Sequence, residues 1–143
     1  MPQKELVFRI GGAAGDGSAS TAESLAKICT RSGLYAFTYT SYQSVIRGGH
    51  SWVQVRASEE PLLSQGERPQ VLIALNPPTA DIHAPQVREG GAIIYDSDTI
   101  KVDGLRLAEG VRKIGFPLAR VAREYSNNAL MKNTVAAARR RRA

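Results

Sequence analysis

A single cysteine, Cys29, is all the thiol chemistry the sequence offers. An intrachain disulfide is therefore excluded, and so is a cysteine cluster for zinc or an iron–sulfur centre. If the chain serves a redox system, the electrons travel elsewhere. Cys29 falls in an apolar helical pattern, so buried packing is expected of it. The sequence also lacks an apolar run long enough to span a bilayer. The opening Met1-Pro2-Gln3-Lys4-Glu5 lacks the apolar stretch of a signal peptide, and a soluble cytoplasmic protein with no membrane partner is expected. No Gly-Lys-Ser/Thr of a phosphate-binding P-loop occurs. The net charge is +6 and the pI about 9.8. Much of that charge lies in Arg139-Arg140-Arg141-Arg142, and the remaining body is only mildly basic. No aromatic residues interleave with those arginines, so the run reads as a solvated end, and nucleic acid is not the expected partner.

What is present suits one α/β domain. The 143 residues, 43% of them hydrophobic, are enough for one compact core. A single domain over 1–143, with a basic tail over 136–143, is the expected organisation. Leu6–Ile10 is a short, mostly apolar run that reads as a strand buried on both faces. A tight loop, Gly11–Gly17, follows. Ser20 to about Arg31 then reads as a helix, with Ser20 and Glu23 as a capping box and Gly33 as a stop signal. Leu34–Thr40 is rich in aromatic and β-branched residues and reads as a strand, which implies a parallel βαβ unit. Trp52–Arg56 alternates like a strand with one wetter face. Val71–Leu75 and Ala92–Asp96 read as buried strands. A short helix is expected over Thr79–Arg88. Leu105–Ala108 and Val111–Ile114 are weaker strand candidates. Pro117 opens a helix reaching about Tyr125, and Leu130–Arg140 suggests a last one. The predicted class is a three-layer, Rossmann-like α/β domain: a mostly parallel sheet flanked by helices, with its ligand edge at the carboxyl ends of the strands.

Three segments carry candidate chemistry. In the first loop, Gly12, Ala13, Gly15, Asp16 and Gly17 join a strand to a helix. Glycines there permit a sharp turn and close approach of a ligand. The amides and helix end suit a phosphate, although the spacing does not match the dinucleotide fingerprint and Asp16 would repel an adjacent phosphate. A tight turn without ligand fits the loop equally well. The second segment is Arg47-Gly48-Gly49-His50-Ser51. Arg47 could make a two-pronged contact with a phosphate or carboxylate, or bond to carbonyls of its own chain. His50 is an acid–base group by type, but no cysteine, serine or carboxylate around it makes a triad. His83 receives no role. The third segment is Asn76-Pro77-Pro78, where ligand loops sit in this architecture, although the prolines simply ending the strand is the favoured reading.

Together these segments resemble the gamma domain of 2-oxoacid:ferredoxin oxidoreductases, most closely the 2-oxoglutarate branch. The resemblance rests on Ile10–Gly17 followed by Ser20–Ala26, on Ser41–Ser51 with its following strand, and on Met131–Val135. It covers nearly the whole chain. The resemblance implies a non-catalytic gamma subunit in the oxidative decarboxylation of a 2-oxoacid to its acyl-coenzyme A. It implies alpha and beta partner subunits, with a delta subunit in some relatives, and ferredoxin as an indirect partner. Thiamine diphosphate, magnesium and iron–sulfur clusters are then expected in those partners. Carried over by position, the Gly12–Gly17 loop and the stretch Arg47, Gly48, Gly49, His50 and Ser51 would line the coenzyme A channel or the subunit contact; Asn76 is a candidate cofactor contact from its loop position alone. Many relatives carry Gly-Gln-Gly where this chain has Ala14-Gly15-Asp16-Gly17, which makes direct phosphate contact by Asp16 doubtful and capping of the helix dipole the milder role. The alternative is a stand-alone Rossmann-like nucleotide-binding module. A dinucleotide site wants an acidic residue after the second strand, where this chain has Thr38, Thr40 and Ser41.

Overall fold

The computed structural model describes residues 4–42 and 49–125. In chain order the elements are β1 (Glu5–Ala13), α1 (Ser18–Arg31), β2 (Tyr35–Tyr42), β3 (His50–Ser58), β4 (Val71–Ala74), α2 (Pro77–His83) with a following 3-10 turn (Ala84–Gln86), β5 (Ala92–Asp96), β6 (Arg112–Phe116) and α3 (Leu118–Tyr125). The strands form one sheet in the order β2-β3-β1-β4-β5-β6. Only β3 runs against its neighbours, and the β1–β4, β4–β5 and β5–β6 pairs are parallel.

The mostly parallel α/β class is borne out, but one connection needs correction. β1 and β2 point the same way without touching, because β3 lies between them and pairs antiparallel with both. The short link from β2 to β3 lets the two strands zip as a hairpin. The β3 strand then offers its other edge to β1 along nine positions, from Glu5↔Ser58 to Ala13↔His50.

Two packed faces follow from strand alternation. On one, Phe8, Ile10, Val53, Val55, Ile73 and Ile94 pack with Ala22 of α1 and Leu118 of α3. On the other, Leu72, Ala74 and Ile93 pack under Ala80 of α2, Ala84 of its turn and Val87 just after it. Each wholly buried Ile or Phe contributes roughly 1.5–3 kcal/mol. β1 is buried on both faces, as its sequence suggested, yet one of its inward residues is Arg9. The wetter face of β3 is likewise buried at Gln54.

The helix ends refine the sequence reading. The capping box at Ser20 does not form. α1 starts two residues earlier, at Ser18, after Gly17 in the left-handed region with φ 78°, and no side chain caps it. Ser20 lies inside the helix, where its carbonyl accepts from the Ser24 hydroxyl. The stop at Gly33 holds, with φ 87°. There Gly33 N–H donates to the Thr30 carbonyl and Leu34 N–H to that of Cys29, the crossed pair that closes many helices. Cys29 is only half-buried, because the buried stripe of α1 narrows toward its last turn. The prolines after β4 do not merely end the strand. Pro77 and Pro78 open α2, with Asn76 as its cap. The candidate strand at Leu105–Ala108 is absent, whereas that at Val111–Ile114 corresponds to β6. Among the described residues no helix is long and apolar enough to cross a membrane. The expected last helix, the Met131–Val135 motif and the arginine run lie outside the described residues.

Candidate functional site

The carboxyl ends of β1 and β4 and the start of β3 meet at one edge of the sheet. β1 continues to Ala13, so Gly11 and Gly12 are strand rather than loop, and the true loop is Ala14–Gly17. Asp16 ties it shut. The Ala13 N–H donates to Asp16 Oδ2 at 3.0 Å, and the Asp16 N–H donates to the Ala13 carbonyl at 3.1 Å. Gly12 makes room for this: a Cβ there would lie 2.9 Å from Asp16 Oδ2 and 3.2 Å from Leu75 Cβ. The Ala14 N–H donates to the Gly49 carbonyl at 3.0 Å, which ties the loop to the start of β3. Ser51 pairs opposite Gly12 and is buried. Asn76 sits just past the end of β4, the next strand over, where its Oδ1 accepts from both the Thr79 N–H and the Thr79 hydroxyl. Its side chain is thus engaged as a helix cap.

Gly12, Ala13, Gly15, Asp16, Gly17, Gly49, Ser51 and Asn76 therefore gather along the same sheet edge. Arg47 and Gly48 lie outside the described residues. Behind the exposed tip, Ala14 and Gly15, stands the amino end of α1, with neither a side-chain cap nor an acidic residue in its first turn. Orphan first-turn amides of this kind attract anions.

Beneath this edge lies a polar cluster that sequence reasoning missed. Arg9 is 4% exposed, Gln54 1% and His83 2%. All five guanidinium hydrogens of Arg9 find acceptors. Nε and Nη2 both donate to Gln54 Oε1, at 2.9 and 2.6 Å. Nη2 also donates to the Glu67 carbonyl. Nη1 donates to Gln86 Oε1 and meets His83 Nδ1 at 2.9 Å. The guanidinium carbon lies 4.4 Å from the centre of the Trp52 ring. None of these acceptors is a carboxylate, so a whole positive charge is held in the core by neutral groups and one aromatic face. Burial lowers the Arg9 pKa to about 10, and the group stays charged at neutral pH.

His83 extends the chain outward. Its Nε2 lies 2.8 Å from His50 Nε2. His50 opens β3, and its ring reaches over Gly11, where a Cβ would stand 3.4 Å from His50 Cε1 and 2.6 Å from Thr79 Cγ2. Burial, then the nearby Arg9 charge, then His50 push the His83 pKa down to about 3. Burial also lowers that of His50. One signal was available in the sequence: Arg9 interrupts an apolar strand, and a buried arginine needs acceptors. The partners themselves come from β3, a loop, α2 and the 3-10 turn after it, up to 77 residues away. Among the described residues no group of three or more His, Cys, Asp or Glu could hold a metal ion.

A mostly parallel sheet with a glycine turn at its carboxyl edge defines an α/β domain of the ligand-edge kind. Over residues 7–139 the chain matches the family model described as pyruvate ferredoxin/flavodoxin oxidoreductase, and it belongs to that family. It is 36% identical over 132 residues to the ketoisovalerate oxidoreductase subunit VorA of Methanothermobacter thermautotrophicus, across 92% of this chain and 27% of that subunit. It is 28% identical over 96 residues to the 2-oxoglutarate synthase subunit KorC of Methanocaldococcus jannaschii, across 66% of this chain and 51% of that subunit. Among solved structures, 2-oxoglutarate:ferredoxin oxidoreductase from Magnetococcus marinus, with 2-oxoglutarate, coenzyme A and succinyl-CoA bound, superposes with a TM-score of 0.82 at 31% identity, over 94% of this chain and 23% of that one. The gamma subunit of a keto/oxoacid ferredoxin oxidoreductase from Geobacter sulfurreducens superposes with a TM-score of 0.76 at 25% identity, over 93% of this chain and 72% of that one. The chain thus spans about a quarter of the VorA subunit and most of the Geobacter gamma subunit.

Proposed function

We propose that this chain is the gamma-type part of a 2-oxoacid:ferredoxin oxidoreductase and helps to hold coenzyme A while other subunits perform the oxidative decarboxylation. The observation that carries the reading is the uncapped amino end of α1 behind an exposed Ala14–Gly15 tip, at the carboxyl edge of the sheet. First-turn amides there suit a phosphate of the carrier. Asp16 does not oppose this role, because its carboxylate turns inward onto the Ala13 amide. The coenzyme A bound in the Magnetococcus relative supports the choice of ligand. On this reading Gly12, Ala13, Gly15, Asp16 and Gly17 shape the turn, Gly49 and Ser51 lie beside it, and Arg47 and Gly48 join the site on the family resemblance alone. Asn76 orients α2 beside them. The reading assigns no carbon–carbon bond cleavage to this chain. Thiamine diphosphate, magnesium and iron–sulfur chemistry then belong to alpha and beta partners, with ferredoxin as the electron acceptor. A cytoplasmic setting follows from the same reading.

The test is reconstitution. Purified with candidate alpha and beta subunits, the chain should enter a stable complex and restore dye reduction dependent on both a 2-oxoacid and coenzyme A. No complex, or full activity without this chain, overturns the proposal. Calorimetry adds a second criterion: coenzyme A should bind and NAD should not.

A further inference from the structure

Arg9, His83 and His50 form a chain of contacts whose proton positions are dictated by donor and acceptor chemistry. A guanidinium can only donate. His83 Nδ1, 2.9 Å from Arg9 Nη1, must therefore accept and carry no proton. The single ring proton of His83 is left on Nε2, 2.8 Å from His50 Nε2. His50 Nε2 must accept that bond, and the His50 proton is forced to Nδ1. Protonating either ring would set two donors against each other at one of these contacts. His50 Nδ1 is buried and has no hydrogen-bond partner among the described residues. So the series of contacts ends on a fixed N–H donor for which the described residues supply no acceptor. His50 lies opposite Ala13, on the same strand edge that carries the glycine turn.

We propose that Arg9 and His83 lock His50 into its Nδ1–H tautomer, and that this N–H donates to an oxygen acceptor of the ligand bound at the glycine-loop edge. The proposal rests on the coenzyme A reading above for the identity of the ligand, while the tautomer lock stands on geometry alone. A locked neutral donor favours a carbonyl or phosphate oxygen and offers nothing to a cation. Arg9 and His83 are positioning residues here, and His50 is the group that touches the ligand. Buried donors without partners are rare in folded proteins, which is why an Nδ1–H with no acceptor among the described residues points to a ligand acceptor.

The chain holds only two histidines, so histidine-selective 15N labelling of the full 143-residue protein gives an assignable spectrum. Long-range 1H–15N correlation at neutral pH should show His83 protonated on Nε2 and His50 on Nδ1. The opposite tautomer at either ring, or a cationic ring, overturns the lock whether or not any ligand binds. Coenzyme A is then added, with ADP and pantetheine as separate arms. A shift of the His50 Nδ1–H with ADP identifies a phosphate oxygen, and a shift with pantetheine identifies an amide carbonyl. Coenzyme A bound by calorimetry with His50 unmoved overturns the ligand contact. No calorimetric binding at all counts against the coenzyme A reading and leaves the tautomer result to decide the lock. His50→Asn, whose amide nitrogen stands where Nδ1 does, should keep coenzyme A affinity within about twofold, whereas His50→Phe should lose about tenfold. Equal losses in the two variants contradict the donor role.

Discussion

The guanidinium of Arg9 lies 4.4 Å from the centre of the Trp52 ring, in a part of the sheet where neither residue has a carboxylate to answer the charge. Position 9 is thus a costly place for a charge. Removing it strands its acceptors. Arg9→Met keeps the aliphatic stem but leaves Gln54 Oε1, His83 Nδ1 and Gln86 Oε1 without a donor. A loss of about 2–4 kcal/mol is expected, read as a lower urea midpoint. Arg9→Lys cannot reproduce the planar fork and should recover only part of it.

Acid should weaken the fold through the histidines. His83 has its pKa lowered to about 3, against 6.5 for an ordinary histidine. Between those values the unfolded chain binds a proton that the folded one refuses. Stability is therefore full above pH 6.5 and falls as the pH drops toward about 3. The slope contributed by one such group reaches about 1.4 kcal/mol per pH unit. Urea melts at pH 7, 6, 5 and 4 measure it, and His83→Gln should flatten the part of the curve below pH 6.

Much of the fold was legible because it follows from local pattern. The apolar runs at Val71 and Ala92, the stop at Gly33 and the start at Pro117 all mark real element boundaries, since each depends on its own few residues. The strand order was not legible. β3 inserts between β1 and β2 through pairings such as Gly11↔Trp52, and nothing in the local sequence distinguishes that arrangement from direct β1–β2 contact. The glycine turn was visible, but its closure by Asp16 was not: the sequence suggested a cap on the helix dipole, whereas the carboxylate accepts from the Ala13 amide. The histidines were undervalued for a related reason. A triad was sought around His50, whereas its partner is His83, which in turn meets a buried arginine that entered the sequence reading only as part of an apolar strand.

The closure of the loop gives a third prediction. A methyl group at position 12 would crowd Asp16 Oδ2 and Leu75 Cβ. Gly12→Ala should cost about 1–3 kcal/mol by denaturant melt and displace Asp16 from the Ala13 amide. Asp16→Asn retains an acceptor oxygen and should cost less than Asp16→Ala, which is expected to lose about 1 kcal/mol.

Asn76 gives a fourth. As the cap of α2 it accepts twice from Thr79. Asn76→Ala should cost about 1 kcal/mol, and Asn76→Asp or Asn76→Ser should recover most of it. Thermal melts of the three variants make the comparison.

The most direct measurement on the glycine edge is the KM for coenzyme A of the reconstituted complex carrying Ala14→Asp. Ala14 is exposed and the hydrogen bond from its N–H to the Gly49 carbonyl does not involve the side chain, so the new carboxylate adds charge without disturbing the turn. Gel filtration first establishes that the variant still assembles. With a phosphate of the carrier resting on the end of α1, KM should rise about tenfold or more while kcat at saturating coenzyme A stays near that of the unaltered complex. An unchanged KM in a fully assembled complex would contradict a phosphate site there.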